Sequence, residues 1–224
     1  MGRGVKLSKP TVCMCALWYS SVSAMGGHFD VDDAAVLAAG RCQVEIWAAL
    51  ARVRGQHGQH AGPGCRIGPV ELGINVDRAV EQGLRESNAT AQLKWVVDPV
   101  LPHLSAGLVV GIGRQLGQGG GATASLFTPV TVFASEEWQF HFNVGTDRSA
   151  DGVRTRRVGL AGEWVVSDRF SVIAEHIRLL GDSNSRIGVR VGLGDTTSID
   201  MSLARTVNGR DRRWSVGLNQ EFGR

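Results

Sequence analysis

The sequence predicts an all-β fold, an antiparallel up-and-down transmembrane β-barrel of ten to twelve strands, on three observations. Apolar and polar residues alternate strictly in runs of about ten, the pattern of a strand with two unlike faces. The connections between runs alternate between short and long, as periplasmic turns and external loops do in such barrels. Aromatic residues gather at the run ends that flank the short connections, where rings settle at a lipid–water boundary.

The composition agrees with that class and excludes others. Of 224 residues 30 are Gly, nearly twice the usual share of ~7%. Only 6 Pro accompany them, so the chain is neither collagen-like nor Pro-rich disorder. Mean hydropathy is −0.03, which in a barrel is the average of two opposed faces. No run of ~18 apolar residues exists, which excludes a helical membrane span. The length suits one domain. The formal charge of +3 arises at the start: Arg3, Lys6 and Lys9 precede residue 25 with no acid among them. The remaining 21 basic and 21 acidic residues balance, with no concentrated basic face in the sequence for nucleic acid.

Residues 1–24 read as a secretory signal, with a basic start, an apolar stretch from Val12 to Tyr19, and Val22 and Ala24 where a signal peptidase reads. Residues 25–40 (Met25 to Gly40) form an N-terminal segment, either an irregular first strand or a plug inside the lumen, and 41–224 form the barrel. Cleavage after Ala24 removes Cys13 and Cys15 and leaves Cys42 and Cys65, which in an oxidising compartment are a disulfide or, failing that, two free thiols.

Eleven strands are legible, at about 42–54, 66–78, 88–97, 104–114, 124–134, 138–146, 157–166, 170–178, 185–194, 197–206 and 212–222. In the run 138–145, Trp138, Phe140, Phe142 and Val144 oppose Gln139, His141, Asn143 and Gly145. Residues 78–87 allow a helical turn at most. A single-chain barrel closes on an even number of strands, so eleven demands one more or one fewer. Counted back from a last strand that runs down, the strand at 42–54 also runs down, and residues 27–40 are the candidate for a strand before it.

The short turns Asp98–His103, Ser135–Glu137, Ser167–Arg169 and Asp195–Thr196 define the periplasmic side. Trp95, Phe133, Trp138, Trp164, Phe170 and Phe222 flank it as interface aromatics, with Trp214 at the opposite rim. Ser215-x-Gly217-x-x-Gln220-x-Phe222 is similar to the terminal signal read by the outer-membrane assembly machinery. It departs from it at Gln220 and in the trailing Gly223–Arg224.

Val31-Asp32-Asp33-Ala34, then Gly40-Arg41-Cys42-Gln43-Val44-Glu45, then Gly68-Pro69-Val70-Glu71-Leu72-Gly73, then Gln92-Leu93-Lys94-Trp95, follow a recognisable order. Over residues 29–97 this order resembles the outer-membrane β-barrels grouped with the meta-pathway phenol-degradation protein. The resemblance implies an acidic segment leading into a strand with an inward Glu45, then strands with an inward Glu71 and Lys94. It also implies passage of small, often aromatic or hydrophobic, compounds.

On the inferred lumen face lie Glu45, Glu71, Asp77, Lys94, His141, Glu163, Glu175, Arg186, Arg190, Asp200, Arg213 and Glu221. Arg186 and Arg190 sit on the strand between those bearing Glu175 and Asp200, where cross-strand pairs are expected. These charges either neutralise one another in a plugged interior or form a polar constriction in a water-filled pore. Catalysis is not expected. A membrane-embedded hydrolase needs a Ser or Thr beside a His, and adjacent Glu175 and His176 point to opposite faces. His57-Gly-Gln-His60 near Cys65 lies in a Gly-rich stretch that reads as a solvated loop rather than a metal site, and no cofactor is implied. The expected function is an outer-membrane channel for small, hydrophobic or aromatic molecules. The alternatives are a plugged structural or adhesion barrel, or a soluble periplasmic barrel with Val70, Leu72, Ile74 and Val76 turned inward around an apolar ligand. The expected partners are outer-membrane lipid, the assembly machinery and a small solute.

Overall fold

A computed structural model describes residues 29–51, 56–81, 83–117, 120–179, 182–206 and 212–223. The expected signal at 1–24 and residues 25–28 lie outside them. Twelve strands close one barrel. They are β1 (Arg41–Ala51), β2 (His57–Ile67), β3 (Val70–Glu81), β4 (Leu84–Leu101), β5 (Leu104–Leu116), β6 (Ala122–Phe133), β7 (Trp138–Arg148), β8 (Arg154–Ser167), β9 (Phe170–Leu179), β10 (Asp182–Gly192), β11 (Thr197–Thr206) and β12 (Arg212–Gly223). Each is antiparallel to its neighbour in sequence, and β1 pairs with β12 to close the ring. Closure satisfies every strand edge, which a bilayer requires because lipid offers no hydrogen bonds.

The twelfth strand is not where parity placed it. It is β2, between the strands expected at 42–54 and 66–78, and β1 therefore runs up from the short-turn side rather than down. The stretch from His57 that reads as a solvated loop is this strand. Its inward positions are Gly58, His60, Gly62 and Gly64 and its outward ones Gln59, Ala61, Pro63, Cys65 and Ile67. Small and polar residues on both sides leave no apolar alternation to detect. Residues 78–87 hold no helical turn among the described ones. β3 and β4 form a hairpin there, with Gly83 at φ 83°, a conformation natural to Gly. β5, β6, β7 and β8 run past the loop-side ends expected for the strands at 104–114, 124–134, 138–146 and 157–166, to Leu116, Ala122, Arg148 and Arg154, which shortens the loops between them.

Cys42 lies directly opposite Cys65 across β1 and β2, and the two form a disulfide. It closes a separation of 23 residues around the strand that has the weakest apolar face. In the chain-entropy picture such a loop is worth about 3 kcal/mol. Reduction, or Cys42→Ser with Cys65→Ser, is expected to lower the thermal midpoint in detergent without altering the folded barrel's electrophoretic mobility. An unchanged midpoint would show that the ladder alone fixes β2.

The faces are inverted relative to a soluble protein. Ile46, Ile74, Ile112, Val144, Leu160, Ile187 and Val216 are among the large apolar side chains exposed on the outside. The buried interior holds Glu71, Lys94, His141, Asn143, Asp147, Glu163, Glu175, Arg190 and Asp200. An exterior this apolar around an interior this charged is solvated by lipid. Leu72, Ile74 and Val76 point outward, which removes the soluble barrel with an apolar cavity. Trp95, Trp138, Trp164, Phe170 and Phe222 are exposed near the short-turn rim, and Trp214 at the loop rim. Trp138 stacks on Trp164 at 5.9 Å, within 8° of parallel. Phe133 differs, falling on the inward side of β6 and only partly exposed. From Trp138 to Arg148 strand β7 climbs about 33 Å at ~3.3 Å per residue. At a tilt of ~40° that is about 25 Å of height, the thickness of a lipid-facing belt.

Gln220, which interrupts the apolar face of β12, is satisfied locally. Thr197 Oγ1 donates to its Oε1 at 2.6 Å and its Nε2 reaches Thr196 Oγ1 at 3.3 Å. In the external loop between β7 and β8 the Ser149 hydroxyl and the Val153 N–H hold the Asp151 carboxyl below its usual value.

Candidate functional site

The lumen contains its own chain. Residues 29–40 carry no strand and descend inside the barrel to Gly40, where the chain turns up into β1. This strap has no sheet to join, so its backbone is satisfied by wall side chains. The N–H groups of Asp30 and Val31 donate to the two carboxylate oxygens of Glu175 at 3.1 and 2.9 Å. Asn143 accepts from the Asp32 N–H at 2.9 Å and donates to the Asp32 carbonyl at 2.6 Å. Thr131 Oγ1 accepts from the Ala34 N–H at 2.8 Å, and Glu71 from the Leu37 N–H at 3.1 Å. Arg66 donates to the Leu37 carbonyl at 2.8 Å. Five strands thus hold it.

Charge locks the same segment. Lys94 Nζ lies 3.0 Å from Asp32 and 3.1 Å from Asp33, and Lys94 stands directly opposite Glu71 on β3. Arg186 bridges Asp30 at 2.9 Å and Glu175 at 3.4 Å. The apolar side of the strap packs too. Leu37 is fully buried, and Val31 forms a small core with Ala161 and Ile177. Two wall glycines make this possible. A Cβ on Gly159 would stand 2.9 Å from Val31 Cγ2, and one on Gly188 3.0 Å from the Phe29 ring.

The inward residues expected from the alternation therefore separate into three groups. Glu71, Lys94, Glu175 and Arg186 hold the strap. Arg190 and Asp200, opposite each other on β10 and β11, form a bidentate pair at 2.8 and 2.9 Å, and His141 faces Glu163 at 3.6 Å. Glu45 faces open space, and Arg213 lies higher, beside the loop-side mouth. Asp77 is inward and unites with a pair that sequence reasoning missed. His60 Nδ1 lies 2.7 Å from Asp77, its Nε2 3.8 Å from Glu45, and its ring stacks on Trp47 at 5.2 Å. His60 was hidden with its strand, and Trp47 carries no local signal that it turns inward.

Beside the strap, against β1 to β4, β6 and β8, is a cavity of about 280 Å³ lined by Glu45, Trp47, His60, Asp77, Phe127 and Arg157 among others. The Arg157 guanidinium lies over the Phe127 ring at 4.3 Å and pairs with Asp147 at 2.9 Å. A second cavity of about 220 Å³ stands toward the loops, lined by Ala49, Val80, Arg186 and Arg213 among others. Asp30, Trp47 and Asp77 border both, so the two are stacked along one side of the strap. Among the described residues no cluster of His, Cys, Asp and Glu suits a metal ion.

Outside the wall, His176 Nδ1 lies 2.9 Å from Ser185 Oγ. A Ser–His hydrolase also needs a group that orients the imidazole. Among the described residues no such partner contacts His176.

This architecture recurs among solved structures of very different sequence. The KdgM porin superposes with a TM-score of 0.67 at 9% identity, covering 80% of this chain and 99% of that one. The COG4313 outer membrane channel from Pseudomonas putida F1 gives 0.60 at 12%, covering 87% and 100%. The outer membrane phospholipase A of Escherichia coli gives 0.51 at 9%, covering 80% and 90%. At these identities the likeness is one of fold, that of the outer-membrane β-barrels. No curated protein matches the chain in sequence. A family profile does, over residues 13–222, and with nearly the whole barrel inside that match the chain belongs to the family described as uncharacterised conserved protein UCP029691.

Proposed function

We propose that this protein is a passive outer-membrane channel for small molecules, narrowed by its own N-terminal strap. The observation that carries the reading is the pair of stacked cavities, which share Asp30, Trp47 and Asp77 and leave one side of the lumen unfilled. Glu45 and Asp77 give the first cavity an acidic lining, and Trp47 and Phe127, the one stacked on His60 and the other under the Arg157 guanidinium, add aromatic rings to it. The solute that suits this chemistry is a neutral or cationic molecule with an aromatic or hydrophobic body. The resemblance of the segment around Asp32, Glu45, Glu71 and Lys94 to barrels associated with phenol degradation supports the aromatic class. A plugged, non-conducting barrel is the second reading, favoured by the complete burial of Leu37 and the number of strands that hold the strap.

Planar-bilayer recording separates the two. Small, cation-preferring conductance steps are expected from the intact chain. Glu45→Gln with Asp77→Asn is expected to reduce the preference for cations severalfold in reversal potential under a salt gradient. Absence of steps from a folded barrel would favour the plug, and an unchanged preference would place the ion path elsewhere.

A further inference from the structure

We infer that the loop-side rim of the outer wall is a binding belt for phosphate-bearing headgroups of the external lipid leaflet. Strand parity turns Arg78, Arg85, Arg114, Arg148, Arg154, Arg156, Arg178, Arg205 and Arg212 outward, and all nine are exposed. Each lies in the loop-side part of its strand. On the described strands Glu71, Asp77, Asp147, Glu163, Glu175 and Asp200 fall on inward positions. Among the described residues none of the nine has a carboxylate within the 4.0 Å of an ion pair. Asp151, in the loop between Arg148 and Arg154, turns to Ser149 and the Val153 N–H instead.

Register makes the belt more than a tally. Arg148 stands directly opposite Arg154, and Arg205 directly opposite Arg212. Like charges facing each other across a ladder repel, which a barrel has no structural reason to arrange twice. An anion seated between two guanidiniums converts repulsion into a bidentate clamp, and a phosphate monoester has the oxygens and the charge for it. The height fits as well. The belt stands about 25 Å above the Trp138–Trp164 stack, at the level of the headgroups of the opposite leaflet. The short-turn side has the reverse character, with Glu136, Glu137, Asp168 and Asp195 in its turns and one basic residue, Arg169, among them. Anionic lipid is therefore favoured on the external side.

The inference rests on the membrane reading and is independent of the channel. Its test uses the full-length folded protein in nonionic detergent, mixed with bisphosphorylated lipid A or its dephosphorylated form. Retained lipid is measured by native mass spectrometry. The intact protein is expected to retain the phosphorylated lipid at least about tenfold more than the dephosphorylated one. The R148Q/R154Q and R205Q/R212Q doubles are each expected to lose part of that excess, and the quadruple variant most of it. R169Q is expected to lose none. Heat-modified gel mobility verifies that each variant is folded, and their bilayer conductance is expected to match the parent. Equal retention of both lipids, full retention by the folded quadruple variant, or displacement by millimolar inorganic phosphate would each overturn the proposal, the last by showing that free phosphate suffices.

Discussion

Deletion of residues 29–37 is expected to raise single-channel conductance severalfold while leaving the barrel folded. The wall does not depend on the strap for its ladders, since every strand is paired on both sides by its neighbours. The disulfide and the Arg190–Asp200 pair lie within the wall and persist. What the strap leaves behind is polar: Glu71, Lys94, Thr131, Asn143, Glu175 and Arg186 lose their strap partners together, while Arg186 keeps Glu175 and Lys94 keeps Glu71 opposite it. In a dry core that would be ruinous, at several kcal/mol for each stranded charge. In a barrel wider than the side-chain-filled eight-stranded case, water follows the strap's departure and solvates them. The space beside Gly159 and Gly188, which Val31 and Phe29 occupy, becomes part of the water path. Planar-bilayer steps compared with the intact chain check this, with gel mobility confirming closure. A folded deletion variant that conducts no better would show that the constriction lies in the wall or the loops.

Much of the wall was legible because alternation is local. Trp138 to Val144 alternate so cleanly that face and register follow from the residues alone. Once the strands are placed, Arg190 opposite Asp200 is a matter of counting. Two features resisted for physical reasons. β2 has small residues on both faces, so its identity depends on neighbours that supply hydrogen bonds and on a disulfide that pins it to β1. The strap is held by side chains 97 to 145 residues away, Glu175, Asn143 and Thr131, and nothing local in Asp30–Asp33 names them. The tandem Asp32–Asp33 and Lys94, the one lysine after residue 9, are each plain in the sequence. Their pairing is a property of closure. The arginine belt was invisible for a related reason. Its members are spread from residue 78 to residue 212, so no single stretch, not even the Arg-rich 154–157, announces a belt, and the closed ring gathers them at one height.

Lys94→Met is expected to release the strap rather than unfold the barrel. Lys94 is 1% exposed and is the cation shared by Asp32, Asp33 and, across the ladder, Glu71. Methionine keeps the aliphatic stem and removes the charge, so packing is nearly conserved. Three carboxylates then crowd one region without a counter-ion, and breaking a buried pair in this way costs about 3–5 kcal/mol. Two routes relieve that cost. Global unfolding would open twelve ladders. Withdrawal of the strap gives up seven side-chain bonds to its backbone, each worth about 1 kcal/mol net, the Asp30–Arg186 pair and the burial of Val31 and Leu37, and it hydrates Asp32, Asp33 and Glu71 at once. The second route is the cheaper, so the variant should keep its thermal midpoint within a few degrees. Its conductance should rise toward that of the strap deletion, and the strap should become sensitive to protease. Adding Asp32→Asn and Asp33→Asn removes the repulsion and is expected to bring conductance back down. A folded Lys94→Met variant with unaltered steps, or one whose midpoint collapses with the strap still protected, would show that the strap and the wall unfold as a single unit and that Lys94 is a strut of the barrel.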